Sequence, residues 1–382
     1  MSGVFNYMAD QQMKVGVIGR TGYGEWGHSL GNTFAFHPTT KVVAVADEDK
    51  KGRNKAANLL EAENQYEHFS DMLDKERLDI VTIAPRWPDQ RREMFLASAA
   101  AGVKGIFCEK PFAQTLDDAD EILDACQKSG TRVVVAHRRA AGHEQHLKKL
   151  VKEGIIGDIQ VLRGHGKADH RAGSLDLMIL GTHILDGMRY VINSDVVWAH
   201  GHVSQDHRAI KKEDIYQGDE GVGLLAGNRV AAYYQFENGL TAHYESFQGF
   251  PTDKTDHTRH LGFEVYGTKG ILSVRNSPGG ELYLSHHDLW VPDSVNRPWE
   301  RIRLPEWEKE KDPTLKSNLL IVTELVSAIT EDRDIKEVSS GADSRATLEM
   351  IMAVHESNRL GKRVNFPLEN RHNPYASWLA EA

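Results

Sequence analysis

The feature that most constrains the fold of this chain is a regular alternation of short apolar runs and helix-like stretches over its first 136 residues. The apolar runs are rich in β-branched residues on both faces, which is typical of parallel strands covered by helices. The predicted strands are 14–18, 41–46, 79–84, 105–108 and 132–136. The predicted helices between them lie near 25–36, 52–60, 89–101 and 116–128. Strict alternation of this kind predicts a doubly wound α/β domain with right-handed crossovers.

The pattern changes after about residue 138. A helix near 143–153, a strand at 159–164 and a helix near 175–192 are followed by segments that alternate polar and apolar residues. These segments are 196–202, 230–236, 240–247, 262–266, 271–274 and 281–284. Asn238-Gly239 predicts a hairpin, and the alternation predicts a mostly antiparallel sheet with one open face. Helices near 315–331 and 343–360 close the chain, and Gly361 is positioned to end the second.

Length and charge narrow the class of protein. At roughly 150 residues per domain, 382 residues suggest two or three domains, and we place them at 1–138 and 139–382. Lys and Arg number 46 against 55 Asp and Glu, a net charge of −9, which argues against a nucleic-acid partner. Two cysteines argue against a disulfide scaffold and favour a reducing, cytoplasmic location.

Membrane and secretory signals are not expected from the sequence. Apolar runs stay well below the roughly 18 residues that a membrane-spanning helix needs, so we expect no membrane partner. The opening residues MSGVFNYMADQQ have no basic start and no apolar core, and are therefore predicted to be a loosely ordered leader rather than a signal peptide.

A glycine-rich loop follows the first predicted strand. Gly22, Gly24 and Gly27 spell G-x-G-x-x-G between a strand and a helix, the context in which this motif binds the pyrophosphate of a dinucleotide. The usual first glycine directly follows the strand, which here is Gly19, so the loop could be longer than standard. We expect Gly19, Thr21, Gly22 and Gly24 to contact the cofactor; the alternative is a glycine-rich turn without a ligand.

The second predicted strand ends at Asp47, 28 residues after Gly19, where a carboxylate would hold the ribose hydroxyls of the adenosine. Glu48 and Asp49 make this corner acidic and would repel a 2′-phosphate, which favours NAD over NADP. Three basic residues among positions 50–53 weaken that preference. The alternative for Asp47 is a solvated acid in a turn.

Two further turns follow predicted strands and could face the nicotinamide half of the cofactor. Pro85 and Trp87 follow the third strand, and Trp87 could equally be an ordinary packing residue. Glu109, Lys110 and Pro111 follow the fourth strand, where the lysine could bind a substrate hydroxyl and stabilise a developing alkoxide. The residues alone favour the alternative, a Glu-Lys turn on the surface.

The chain resembles the Gfo/Idh/MocA family, which includes glucose–fructose oxidoreductase and inositol dehydrogenase. The resemblance begins with AAAGVKGIFCEKPFAQTLDDADEIL and continues through LVKEGIIGDIQ, GTHILD, EVYGTKG and ESNRLGKRVNFPL, and so covers nearly the whole chain in order. It implies a Rossmann domain followed by an α/β domain whose large, mostly antiparallel open sheet mediates assembly. We accordingly expect a homodimer or homotetramer.

The resemblance also implies catalytic roles. Lys110 matches the family lysine that contacts cofactor and substrate, Glu109 belongs to the same motif, and His183 matches the family histidine that acts as general base. One position departs from the family, because Ile179 stands where many members carry an aspartate four residues before the histidine. On a regular helix Asp176 would share a face with Ile179 and His183, two turns from the histidine, and could bind substrate or cap the helix.

Polar residues near this helix are candidates for substrate binding. Lys167, His170 and Arg171 precede it and could recognise a polyol or an acidic sugar, or they could form a solvated loop. Arg138 follows the last strand of the first domain at a position that is near substrate in the family. No metal site is predicted, because His143 with His146, and the cluster 286–288, each lack a convergent third ligand.

The leading hypothesis is an NAD-dependent oxidoreductase acting on a carbinol of a sugar, sugar derivative or cyclitol, with His183 as general base and Lys110 polarising the oxygen. The alternative is an NAD-dependent glycosidase or lyase that acts through a transient 3-keto sugar. Asp176, Tyr244 and His243 are candidates for its additional acid or base. A sensor without catalytic activity is a third hypothesis, which intact Lys110 and His183 argue against.

Overall fold

The computed structural model describes residues 12–249, 260–276, 280–286, 290 and 298–381, so most of the predicted leader lies outside the described residues. The described residues form two compact units. The first comprises the residues up to Ala113, Asp118–Ala136 and Thr314–Ala342. The second comprises Gln114–Asp117, His137–Pro313 and the residues from Asp343 onward. A segment late in the chain thus joins the first unit, and the domain boundary at 138 stays a prediction.

The first unit is built on a six-stranded parallel sheet with the order β3-β2-β1-β4-β5-β6. Its strands are β1 Met13–Ile18, β2 Thr40–Ala46, β3 Asn64–Tyr66, β4 Ile80–Ile83, β5 Gly105–Cys108 and β6 Arg132–Val135. The strand order reverses between β1 and β4, where the carboxyl ends of the strands leave a crevice for a ligand. This confirms the predicted Rossmann domain; β3 escaped prediction because its three residues are polar.

The described residues of the first part of the chain form five α-helices. They are α1 Leu30–Thr33, α2 Lys50–Leu60, α3 Phe69–Lys75, α4 Arg91–Ala100 and α5 Leu116–Ser129, of which α3 was not predicted from the sequence. The start of the helix predicted near 25–36 is wrong, because the α-helix begins only at Leu30 and runs for one turn before it continues as the 3₁₀ turn Phe34–Phe36. Left-handed backbone at Gly22, Gly24, Gly27 and Ser29 prevents an earlier start, since such residues cannot continue a right-handed helix.

The second unit contains a large, mostly antiparallel sheet, as predicted, with the order β17-β16-β15-β14-β7-β13-β12-β8-β18 and with β9 paired to β8. The neighbours β13 and β7 are parallel. The predicted hairpin is confirmed, since β12 and β13 are antiparallel neighbours and Gly239 has a φ of 84°. The strands of this sheet are β7 Ile159–His165, β8 Val196–Gln205, β9 Arg208–Ala209, β12 Arg229–Phe236, β13 Thr241–Phe247, β14 Gly262–Gly267, β15 Gly270–Arg275, β16 Glu281–Ser285, β17 Glu300–Ile302 and β18 Val364–Asn365. A separate antiparallel pair consists of β10 Ile215–Gln217 and β11 Leu224–Ala226.

The second unit also contains helices, several of which pack against this sheet. They are α6 Gly142–Lys152, α7 Gly173–Asp176, α8 Thr182–Ile192, α9 Pro305–Glu308, α11 Gly341–Leu360 and α12 Pro374–Ala380, whereas α10 Pro313–Thr330 lies almost entirely in the first unit. A π-helical segment, Leu177–Gly181, separates α7 from α8. Side chains of α8 lie against Gly164 of β7, where a Cβ atom would meet Met188 and Ile184 at 2.5 and 2.6 Å. Within the described part of the chain, no helix is both long and apolar enough to span a bilayer.

Candidate active site

Three turns of the first unit lie at the carboxyl edge of its parallel sheet. The glycine-rich loop follows β1, Pro85 and Trp87 follow β4, and Glu109 to Pro111 follow β5. Because β1, β4 and β5 are neighbours and run in the same direction, their carboxyl ends meet at the point where the strand order reverses. This is the position at which open α/β sheets bind ligands.

The glycines of the loop allow close contact with the turn after β4. Gly22, Gly24 and Gly27 have φ angles of 86°, 91° and 69°, a region that L-residues rarely adopt. A Cβ atom on Gly24 would lie 2.4 Å from the backbone nitrogen of Arg86, and one on Gly27 would lie 2.6 Å from the oxygen of Ala84. Gly22 has open space instead. Gly24 and Gly27 are therefore required for close packing of the loop against the turn after β4, whereas Gly22 faces open space.

Asp47 is buried at the end of β2 and holds the glycine-rich loop. The backbone N–H and the hydroxyl of Thr21 both donate to its Oδ2, at 3.0 and 2.7 Å, and the N–H of Asp49 donates to Oδ1 at 3.0 Å. A carboxylate has about four acceptor positions, so one on Oδ1 remains for a ribose hydroxyl. A cavity of about 120 Å³ adjoins Asp47 and is lined by residues at or just after the ends of β1, β2 and β3 and by Gln90 and Met94 at the start of α4. These residues fit the adenosine end of a dinucleotide.

Glu109 links the glycine-rich loop to Lys110. Its side chain is 1% exposed; Oε1 accepts the backbone N–H of His28 at 2.9 Å and lies 2.6 Å from His28 Nδ1, while Oε2 accepts the Lys110 N–H at 2.9 Å. Burial would raise the pKa of Glu109, but the contacts with His28 and the charge of Lys110 lower it to about 2. Sequence reasoning missed His28, whose signal was its place directly after the last glycine of the loop.

Lys110 is 7% exposed at the carboxyl end of β5. The buried guanidinium of Arg91 donates to the carbonyl oxygens of Pro85 and Pro111, on either side of this region. Trp87 packs against the edge of Tyr23 in the glycine-rich loop, with ring centroids 5.2 Å apart. Both readings of Trp87 stay open, because a ring that packs on the loop can also flank a ligand.

His183, on α8 of the second unit, is partly exposed and packs against a second histidine. The ring of His137 meets it edge-on, with centroids 5.5 Å apart, and His137 itself is 2% exposed. One turn further along α8, Asp186 accepts two hydrogen bonds from Arg139, each 2.9 Å long. Arg138 donates from Nε to the buried Glu144 at 3.0 Å. The turn after β6 is therefore held by two ion pairs, one from Arg138 to Glu144 and one from Arg139 to Asp186. The sequence analysis did not identify His137 as the neighbour of the predicted base His183.

Asp176 is fully buried at the start of the same helical region. Its Oδ2 accepts the Ser246 hydroxyl at 2.6 Å and the backbone N–H of Lys167 at 2.9 Å. Burial raises its pKa to about 6. Five π-helical residues stand between Asp176 and α8, so the α-helical spacing used to align Asp176 with His183 was wrong. The carboxylate anchors the preceding loop to the helix.

The predicted substrate loop is internally charge-paired. Asp169 accepts hydrogen bonds from the guanidinium of Arg171, at 3.2 and 2.5 Å, and lies 3.3 Å from Lys167 Nζ. One carboxylate is thus shared by two cations, which leaves a single net positive charge on these three residues. The side chain of His170 is 75% exposed.

Among the described residues, no three metal-ligating side chains converge. His143 is 1% exposed, and its burial lowers its pKa to about 4. In the other histidine cluster considered in the sequence, positions 287 and 288 lie outside the described residues.

The chain is similar to several enzymes of known activity. It is 32% identical over 194 residues to inositol 2-dehydrogenase of Klebsiella pneumoniae, covering 48% of this chain and 55% of that enzyme. It is 29% identical over 142 residues to 2,7-anhydro-N-acetylneuraminate hydratase of Escherichia coli, covering 37% of each. The structure of levoglucosan dehydrogenase in complex with NADH and levoglucosan shares the fold, with a TM-score of 0.72 at 21% identity over 94% of this chain and 100% of that chain.

Two family models match in order along the chain. The model described as an oxidoreductase family with an NAD-binding Rossmann fold matches residues 13–137, and the GFO/IDH/MocA C-terminal domain matches residues 145–273. The matches cover well over half of the sequence, and the protein therefore belongs to the GFO/IDH/MocA oxidoreductase family.

Proposed function

We propose that the protein is an NAD-dependent oxidoreductase acting on a carbinol of a sugar, sugar derivative or cyclitol. The observation that carries the proposal is the arrangement at the carboxyl edge of the parallel sheet. The glycine-rich loop follows β1, Asp47 follows its neighbour β2, and the buried Lys110 follows β5, which is two strands from β1 on the other side. A dinucleotide crevice and a lysine at its rim are what hydride transfer to or from a carbinol requires. Relatives that include inositol 2-dehydrogenase support the same class of substrate.

Asp47 and the glycine-rich loop would hold the adenosine and pyrophosphate, and the turn containing Lys110 would face the nicotinamide. When bound, NAD supplies a hydride acceptor. Lys110 donates a hydrogen bond to the substrate oxygen and stabilises negative charge as it develops there. His183 takes the hydroxyl proton, so that loss of a hydride and a proton turns the carbinol into a carbonyl.

The test compares Lys110→Ala and His183→Ala with the wild type on a panel of free sugars and cyclitols, measuring NADH by absorbance. Each variant is expected to lose about 10²- to 10⁴-fold in kcat, the usual contribution of an acid–base group. Lys148→Ala, which removes a partly exposed lysine stacked on Tyr190, is the matched control. Full activity in either catalytic variant would contradict its assigned role.

NAD is proposed over NADP because Thr21 holds the Asp47 carboxylate beside the cavity of about 120 Å³, where its negative charge would repel the 2′-phosphate of NADP. Calorimetric titration of the two cofactors should show tighter binding of NAD than of NADP. Asp47→Asn should reduce this difference in affinity. Equal affinities in the wild type would contradict the preference.

The substrate is proposed to be neutral. Lys167 and Arg171 are both engaged by Asp169, so the loop offers hydroxyl-binding groups rather than a free pair of cations. A phosphorylated or carboxylated sugar turned over better than its neutral parent would overturn this.

An NAD-dependent glycosidase or lyase is the second candidate, favoured by the similarity to a hydratase and by the isoleucine at position 179. Of its candidate acids and bases, Asp176 and Tyr244 are buried and His243 lies exposed on β13. Release of an aglycone without net NADH, abolished when NAD is removed, would favour this candidate. Accumulation of NADH with a free sugar would favour the first.

A further inference from the structure

Arg91 is an isolated buried cation in the first unit. Its side chain is 1% exposed, although arginine is seldom fully buried without a carboxylate partner. In the part of the chain that the structure describes, no carboxylate pairs with it, and its Nε has no hydrogen-bond partner. Arg91 is also the first residue of α4, where the helix dipole disfavours a positive charge. Burial, missing counter-charge and the dipole all oppose a cation here, so a specific interaction must hold it in place.

That interaction is with two turns of the proposed cofactor crevice. One terminal nitrogen of the guanidinium donates to the carbonyl oxygen of Pro85 at 2.5 Å, and the other donates to the carbonyl oxygen of Pro111. Pro85 follows β4 and Pro111 follows Lys110 at the end of β5. The planar guanidinium carries donors at fixed directions, so it can bridge two acceptors that a single ammonium group cannot hold at the same spacing.

The charge of Arg91 also acts on β5 itself. Burial raises the pKa of the Cys108 thiol to about 12, and the nearby Arg91 opposes that rise. Cys108 is the last residue of β5, directly before Glu109 and Lys110. The guanidinium is thus close enough to influence the end of this strand through its charge as well as through its hydrogen bonds.

We propose that Arg91 is a positioning residue that ties the turn after β4 to the turn after β5 and thereby fixes Lys110 for catalysis. The proposal rests on the proposed function of Lys110. Arg91 does not touch the reacting atoms; it acts through the carbonyl oxygens on either side of the crevice. A misplacement of about 1 Å in a catalytic group can cost about 10²-fold in rate, which sets the scale of the expected effect.

The first experiment measures hydrogen exchange of the backbone amides in the two turns, with no cofactor present. Arg91→Lys keeps the charge but removes the bridging geometry, and Arg91→Ala removes both. Faster exchange in both turns is expected for each variant. The neighbouring Arg92→Ala, which loses an exposed ion pair with Glu121, should leave both turns unchanged. Wild-type exchange in the two turns of Arg91→Lys would overturn the proposal.

The second experiment adds guanidinium chloride, at millimolar concentrations far below denaturing ones, to Arg91→Ala. The vacated site should accept the ion, slow the exchange in both turns, and recover about 10-fold of a kcat loss of about 10²-fold. KM for the sugar should change much less than kcat, because the substrate loop belongs to other elements. Sodium chloride at equal ionic strength should have no effect. Rescue by both salts, or by neither, would contradict a bridging role.

If Arg91→Ala does not fold, Arg91→Lys decides the question by exchange and by the split between kcat and KM. A failure of the proposed function can be told apart from a failure of this proposal. The first would appear as full turnover in Lys110→Ala, whereas the hydrogen-exchange result for the Arg91 variants does not depend on turnover.

Discussion

At the scale of single residues, buried carboxylates organise the candidate site. Asp47, Glu109 and Asp176 each accept a backbone N–H and a contact from a side chain, and each joins segments that are distant in sequence. Their chemistry differs with their partners. Glu109 is held ionised by His28 and Lys110, whereas Asp176 has only neutral donors on its Oδ2, and burial therefore raises its pKa.

Asp176→Asn is predicted to stabilise the protein increasingly as the pH rises. Burial raises the pKa of Asp176 from 3.8 to about 6, so the folded state binds this proton more tightly than the unfolded state does. The wild type therefore loses stability between about pH 4 and pH 6, whereas the variant does not titrate there. At 1.36 kcal/mol per pKa unit, the difference in unfolding free energy should grow by about 2–3 kcal/mol.

Urea unfolding at pH 4, 5, 6 and 7 measures this difference. Ser70→Ala, at an exposed position of α3, changes no titratable group and is the control, so its difference should be flat with pH. A flat difference for Asp176→Asn as well would contradict a proton held by this buried carboxyl group.

At the scale of elements, two interruptions of regular structure shape the site. The glycine-rich loop delays α1 until Leu30, and the π-helical segment Leu177–Gly181 sets the phase of α8 and hence of His183. At Gly181 a Cβ atom would lie 2.7 Å from the Tyr244 hydroxyl, so the segment packs directly on the sheet. Helical periodicity in the sequence predicts neither interruption, because each is associated with close packing against a distant segment. The glycine-rich loop packs against the turn after β4, and the π-helical segment packs against β13.

The glycine-rich loop offers a matched pair of substitutions. Gly22→Ala and Gly24→Ala meet nearly the same left-handed backbone, at φ angles of 86° and 91°, which costs an alanine about 1–2 kcal/mol. Only Gly24→Ala also collides with the turn after β4, so it should cost about 1–3 kcal/mol more. Denaturant unfolding of the cofactor-free protein measures both. Equal losses would show that the loop does not pack against that turn.

At the scale of the whole molecule, the sheet of the second unit leaves an aromatic face away from α8. Trp198 stacks on Tyr233 with centroids 5.3 Å apart, and Tyr233 meets the edge of His243 at 4.9 Å. These side chains belong to three adjacent strands and alternate with buried residues that face the helices. Aromatic patches of this kind favour self-association.

Tyr233→Lys is predicted to lower the oligomeric state. The wild type should have a mass in solution that is a multiple of 42.8 kDa, and a lysine on this aromatic face should shift it toward a single chain. Light scattering after size exclusion measures the mass. Leu59→Lys, at an exposed position of α2, is the control and should keep the wild-type mass. An unchanged mass for Tyr233→Lys would show that this aromatic face is not the interface between subunits.

The sequence by itself determined the two fold classes, because apolar runs with strand and helix periods record which faces must be buried. It also placed the glycine-rich loop, Asp47 and Lys110 at strand ends, since each directly follows an apolar run that is predicted as a strand. Tertiary structure alone decided the partners: Thr21 on Asp47, His28 on Glu109, Ser246 on Asp176 and Arg91 across two turns. Such contacts join segments far apart in the chain, and no local periodicity records them. Helical periodicity also does not record the late start of α1, which follows left-handed backbone at Gly27 and Ser29, or the π-helical segment, whose Gly181 packs against Tyr244.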